Sequence, residues 1–125
     1  MSYRVIVAGS RCFGKSSLLY AALDNLLSKV KENDEIVIVS GGANGADKLG
    51  EQYAKERGYK LQVYPADWDQ YGKAAGPIRN KQMAENADAL VAFWDGKSRG
   101  TKNMIDEAAK HGLKRRIVFY NEETE

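Results

Sequence analysis

The sequence predicts a single α/β domain, with a mainly parallel five-stranded core sheet and helices on both faces. Three observations lead there. Short aliphatic runs alternate along the chain with longer stretches of helical periodicity, and strand–helix repetition of that kind makes right-handed crossovers and a parallel sheet. The 125 residues are enough for one real core and too few for two domains. Gly is frequent, at 12 residues, against only 2 prolines, which points to glycine reserved for particular loops.

Residues 4–8 are short and β-branched and read as a buried strand. Residues 16–31 carry Leu18, Leu19, Ala22, Leu23, Leu26, Leu27 and Val30 at helical spacing with a wide apolar stripe, and Asn33-Asp34 breaks them. Residues 35–39 form a second strand. Residues 46–57 form a helix stopped by Gly58. Residues 60–64 form a third strand ended by Pro65, and 65–76 read as a polar loop with aromatics. Pro77 suits the first turn of a helix running to about Asn86. A fourth strand at 87–94, a helix at 101–111 stopped by Gly112, and a fifth strand at 116–120 complete residues 1–120. Residues 121–125 read as a frayed acidic tail.

Composition excludes several classes. Hydrophobic residues make up 43% and charged residues 29%, which is globular rather than disordered. No apolar run approaches the roughly 20 residues that span a bilayer, and Met1-Ser2-Tyr3-Arg4 leads straight into a strand-like run. The expectation is a cytoplasmic protein with no membrane partner. A formal net charge of +2 is too close to neutral to imply a polyanionic partner. Cys12 and His111 are single, so no intrachain disulfide and no Cys/His metal site is expected. Cys12, near a helix start, is read as a buried, inert thiol. Lys110, His111, Lys114, Arg115 and Arg116 read as a solvated helix end away from the ligand loops, so nucleic acid is not an expected partner.

In open parallel sheets ligands bind beyond the carboxyl ends of the strands, and four loops there hold the unusual residues. Gly9-Ser10-Arg11-Cys12-Phe13-Gly14-Lys15-Ser16 matches the P-loop pattern between a strand and a helix. It is kept as an alternative NTP site at residues 9–16; the plainer reading makes Ser16 a helix cap. Ser40-Gly41-Gly42-Ala43-Asn44-Gly45-Ala46-Asp47 has three glycines where one turn seldom needs them, and the helix start behind them suits an anion. The third loop offers Trp68 and Tyr71 for stacking on a base, and Arg79 and Lys81 near a helix start, where a bound anion would relieve them. Asp95-Gly96-Lys97-Ser98-Arg99-Gly100-Thr101 opens a further helix, with Thr101 as cap or phosphate contact.

The ordered set Val7-Ala8-Gly9-Ser10-Arg11, Ser40-Gly41-Gly42-Ala43-Asn44-Gly45-Ala46-Asp47, Ala66-Asp67-Trp68, Ala75-Gly76-Pro77-Ile78-Arg79-Asn80 and Gly100-Thr101 resembles the YspA-type branch of the SLOG superfamily, over residues 3 to about 120. That superfamily also holds the LOG, DprA and YpsA proteins, and several members come from bacteria or their phages. The resemblance implies a Rossmann-like fold and a pocket for a nucleotide or nucleotide derivative. By matching motifs, Gly9, Ser10 and Arg11 would line the pocket floor, Gly41, Gly42, Asn44 and Gly45 would cradle phosphate, Arg79 and Asn80 would contact phosphate or ribose, and Gly100 and Thr101 would complete the anion site. Ala43, Asp47, Trp68 and Asp95 join them as candidates on the same edge.

One departure bears on catalysis. LOG-type phosphoribohydrolases need a Glu just after the Gly-Thr pair, where this chain has Lys102, Asn103 and Met104, with Asp106 and Glu107 a turn further on. Displaced carboxylates are poor substitutes, although Asp47 and Asp95 remain candidate acids. The expectation is therefore binding of a nucleotide-type ligand, a signalling nucleotide among the candidates, with no required cofactor; nucleotide N-glycosidase activity is the alternative. Self-association as a dimer or tetramer is also expected, with the apolar surface of the first and third helices as candidate faces.

Overall fold

The computed structural model describes residues 2–30 and 34–120; the predicted break at Asn33, the last residue of the first predicted helix and the predicted acidic tail at 121–125 lie outside them. Five strands alternate with helices: β1 (Ser2–Gly9), α1 (Ser16–Leu27), β2 (Glu35–Ser40), α2 (Ala46–Arg57), β3 (Lys60–Val63), α3 (Trp68–Tyr71), a 3₁₀ turn (Gly72–Ala74), α4 (Ala75–Glu85), β4 (Ala89–Trp94), α5 (Arg99–Lys110) and β5 (Lys114–Phe119). The sheet order is β3-β2-β1-β4-β5, and every pairing is parallel. This is a Rossmann-like arrangement. The order reverses between β1 and β4, which opens a crevice at their carboxyl ends.

The period-two alternation of β1 sorts the two faces. Val5 and Val7 point into a core with Leu19, Leu23 and Tyr53 from α1 and α2. Ile6 and Ala8 point into a second core with Met83 of α4 and Met104 and Ala108 of α5. Both cores are apolar packing on the two faces of the sheet, so the central strands read as continuous apolar runs. On the α1/α2 side, the buried Tyr53 donates its hydroxyl to Asp24 at 2.7 Å. Arg57 makes two further bonds to the same carboxylate, at 3.1 and 2.9 Å.

Several boundaries differ from the sequence reading. The first helix ends at Leu27, not at 31, because residues 28–30 tighten into turns through Lys29 N–H to Leu26 O and Val30 N–H to Leu27 O. The expected loop at 65–76 is largely helical: Asp67 accepts the Gln70 N–H at 3.1 Å and caps α3. The following helix starts at Ala75, and Pro77 sits inside its first turn, where a missing N–H costs nothing. β5 begins at Lys114, two residues early, since Lys114 N–H bonds Asp88 O.

The outward positions of α4 are Pro77, Lys81, Gln82 and Glu85, and those of α1 are Ser16, Ser17, Ala21, Asp24 and Asn25. No large aliphatic residue stands among these outward positions; Leu19, Leu23, Leu26 and Leu27 of α1 and Met83 of α4 are buried in the core. The exposed large hydrophobics are instead Val63, Trp68, Tyr71 and Phe119. Lys110, His111, Lys114 and Arg115 are exposed at the amino end of β5, as expected, and Arg116 donates to Asn25 Oδ1 at 3.1 Å. Among the described residues no helix is long and apolar enough to cross a membrane.

Candidate functional site

A cleft of about 530 Å³ lies over the carboxyl ends of β1 and β4, between α4 and α5. A smaller lobe of about 330 Å³ adjoins it and shares Arg11, Ala43, Trp68 and Arg79 as common walls. Of the residues the sequence singled out, Gly9, Arg11, Ala43, Asp47, Trp68, Arg79, Asn80, Gly100 and Thr101 line the larger lobe. Gly41, Gly42 and Asn44 line the smaller one. Ser10, Gly45 and Asp95 line neither; each holds a loop in place instead.

The first loop turns inward through Phe13, which is buried against Phe93 and Tyr120 at ring-centroid distances of 4.9 and 4.8 Å. Cys12 is consequently exposed, not buried as expected. The Ser10 side chain is buried and hydrogen-bonds the Tyr120 hydroxyl. The helix-cap position falls on Lys15, with Ser16 already helical, and no side chain caps the start. Gly9 and Arg11 reach the cleft, whereas Gly14, Lys15 and Ser16 are not among its lining residues. The P-loop-like tail of this segment thus serves to start α1.

The glycine loop after β2 is held from three sides. Ser40 Oγ donates to Glu51 Oε2 at 2.7 Å and accepts the Gly42 N–H at 3.0 Å. Ala46 N–H, at the start of α2, points to Ser10 O at 3.5 Å. One amide at the amino end of α2 is thus directed at the first loop's backbone, while Asp47 of the same turn lines the cleft. Asp47, in the first turn of α2, is buried and accepts the Ala43 N–H at 3.2 Å. Burial pushes its carboxyl up to about 6, against the pull of the Ala43 amide and of Arg79.

Arg79 is the hub. Helical side chains lean towards the amino end, which carries its guanidinium over the start of α4 to the glycine loop. Its Nη1 donates to Gly41 O at 2.6 Å, and its Nε donates to Asn80 Oδ1 at 2.9 Å. Burial lowers its pKa, with Asp47 opposing and Arg11 adding to the effect. Asn80 is itself buried, and its Nδ2 donates to Gly100 O at 3.3 Å and to Asn103 Oδ1 at 2.9 Å. One chain of bonds thus joins the glycine loop, α4 and the first turn of α5. Lys81, by contrast, is exposed and does not line the cleft.

On the opposite wall, Asp95 accepts the Lys97 and Ser98 amides at 2.8 Å each. Those backbone bonds, Ser98's first, hold its pKa below the ordinary carboxylate value. Its carboxylate shapes the turn into α5, whose first turn carries no acidic residue of its own. Asp106 pairs with Lys102 at 2.8 Å on the exposed face, and Glu107 lies by Lys110. Asp47 is then the one carboxylate among the cleft-lining residues, against Arg11, Lys73, Arg79 and Arg99.

A family model described as "YspA, cpYpsA-related SLOG family" matches residues 3–71. The chain belongs to that family. It is 34% identical over 116 residues to the Gene 61 protein of Mycobacterium phage D29, covering 88% of this chain and 91% of that protein. Among solved structures, DNA processing protein A (DprA) from Streptococcus pneumoniae matches with a TM-score of 0.75 at 18% identity. The match covers 99% of this chain and 52% of DprA, so this SLOG domain spans about half of that protein's length. A predicted subunit of tRNA methyltransferase from Methanocaldococcus jannaschii matches with a TM-score of 0.49, also at 18% identity, over 99% of this chain and 71% of that one. The DprA likeness supports the Rossmann-like fold.

Lining residues not named as binding candidates from the sequence are Ala8, Lys73, Gly76, Pro77, Met83, Ser98, Arg99, Asn103 and Met104. Lys73 and Arg99 were visible as extra cations in loops already singled out. Asn103 was visible only as the residue standing where a glycosidase-type carboxylate was sought; its partner Asn80 is 23 positions away, and no local pattern connects them.

Proposed function

We propose that this SLOG domain binds a nucleotide or nucleotide-derived ligand, with its phosphate between Arg11, Arg79 and the first turn of α5 and its base against Trp68. The observation that carries the reading is the charge of the cleft: four cationic side chains and one carboxylate converge on it, beside a helix start without acids. Trp68 is 49% exposed, and its ring edge lies where a Cβ on Gly76 would be 3.3 Å away. The ring is held at its edge and half exposed, which suits stacking.

Arg79→Ala is expected to weaken binding of nucleoside mono- and diphosphates roughly 10- to 100-fold, the worth of one charge-assisted bond to phosphate. Titration calorimetry with a panel of adenine, guanine and pyrimidine nucleotides measures it. Equal affinity in wild type and variant would remove the phosphate from Arg79. Native mass spectrometry after incubation with a nucleotide-rich extract identifies the retained ligand class and gives the oligomer mass; a dimer or tetramer is part of the proposal.

Asp47 supports a second reading. A buried carboxyl shifted to about 6 inside the cleft is poised to pass a proton, as nucleotide N-glycosidase chemistry requires. Free base appearing from a nucleoside monophosphate, and absent with Asp47→Asn, would favour it over binding alone.

A further inference from the structure

We propose that anion binding in this cleft is coupled to proton uptake by Asp47, so that the ligand is held more tightly as the pH falls below neutral. The inference rests on the reading of the cleft as an anion site. Its geometry is centred on Gly41. A Cβ built there would lie 2.9 Å from Asp47 Oδ2 and would collide with Arg79 Nη1, so carboxylate and guanidinium flank the same backbone atom. Among the described residues Arg79 commits Nε and Nη1, which leaves Nη2 for a ligand. An anion seated there has the buried carboxylate as its near neighbour.

The charged groups that face Asp47 decide the sign. Arg79 reaches it from α4 and favours the ionised form, while Glu51, one turn along α2, disfavours it. Arg11 lines the same cleft from the loop after β1 and acts on Arg79. A bound anion takes over the field of Arg79 and Arg11. Asp47 then keeps its burial and the repulsion of Glu51 but loses its compensation, and its carboxyl takes up a proton. By linkage, a ligand that prefers the protonated form raises the pKa, and its affinity falls as the pH rises through the pKa of the free protein. Burial already brings that value to about 6, so the dependence falls within an accessible range. Each unit of further rise on binding corresponds to a tenfold change in affinity.

Inorganic sulfate is the probe, since its own charge is constant across this range while a phosphate monoester titrates near pH 6. Binding is followed through Trp68 and Trp94 fluorescence from about pH 5 to about pH 8, with roughly tenfold tighter binding expected at the acid end. Asp47→Asn is expected to bind tightly throughout, with no pH dependence. A dependence that persists in Asp47→Asn assigns the proton to another group and overturns the proposal. Because Asp47→Asn disturbs a buried position, calorimetry of the wild type in two buffers of different ionisation heat gives an independent answer. A fraction of a proton taken up per sulfate supports the linkage, and none refutes it. If sulfate binds, depends on Arg79 and shows neither pH dependence nor proton uptake, the anion site stands and the linkage falls. If sulfate binds at no pH, the anion reading falls and takes the linkage with it.

Discussion

Gly45→Ala is expected to lower the melting temperature by about 10 °C or more. Gly45 sits at φ 79° and ψ −127°, a conformation that costs a side-chain-bearing residue about 1–3 kcal/mol. A Cβ there would meet the backbone of the first loop: it would lie 2.6 Å from Arg11 O and still closer to Ser10 O. Neither carbonyl is the end of a flexible side chain, so the loops must part. Overpacking of this kind costs about 1–3 kcal/mol more. Parting the loops would also strip Ala46 N–H of its Ser10 O acceptor. A total of about 2–6 kcal/mol is a large share of the stability of a single domain. Gly14→Ala is the control, because its Cβ would meet nothing within 4 Å and Gly14 has no positive φ. It should be neutral or slightly stabilising. Thermal melts of both variants decide the matter; a Gly45→Ala protein that melts with wild type would mean that the two loops are not packed as described.

The same residue shows what was legible in the sequence. Three glycines between a strand and a helix announced a special loop, and the loop is special. Pattern alone did not tell which glycine serves a ligand and which serves the fold. Gly45 is needed because another loop's backbone passes over it, and that loop lies some 35 residues earlier. The strands and the order of the helices were readable because each buried run is long, aliphatic and locally periodic. The segment at 65–76 was not, because α3 is a single turn held by one capping bond from Asp67. A turn that short carries no periodicity to detect.

The site divides along the same line. Arg79, Trp68 and the Gly100-Thr101 pair could be picked out because cations at a helix start, exposed aromatics and glycine at a helix opening are locally unusual. Asp95 looked equally promising on the same edge, yet its carboxylate is committed to Lys97 and Ser98 amides, which is what Asp does in any tight turn. The P-loop pattern is a related case. Its residue types are right, but Phe13 in the middle is apolar and was drawn into the core between Phe93 and Tyr120.

Asn80→Asp is expected to reduce anion binding roughly 10- to 100-fold while leaving the fold in place, and it separates positioning from contact. The exchange keeps side-chain size, so the packing of α4 against α5 is unchanged. It replaces the Nδ2 donor by an acceptor that faces Gly100 O at 3.3 Å and Asn103 Oδ1 at 2.9 Å. Asn103 can turn its amide and present N–H₂ instead; Gly100 O belongs to the backbone of α5 and cannot. The cost there is that of one lost hydrogen bond at an exposed backbone carbonyl, about 0.5–1.5 kcal/mol. The effect on ligand is larger for an electrostatic reason. Arg79 already donates Nε to this side chain at 2.9 Å, and a carboxylate at that point would pair with the guanidinium in the low-dielectric cleft and offset the field an anion needs. Asn80→Ala is the comparison: it loses the same bonds without adding charge, so it should loosen Arg79 and the start of α5 but bind more tightly than Asn80→Asp. Calorimetric affinities of the two variants, with thermal melts alongside, give the ordering. If Asn80→Asp binds as tightly as Asn80→Ala, then Arg79 does not set the charge seen by the ligand, and the burden of anion recognition shifts to Arg11, Lys73 and Arg99.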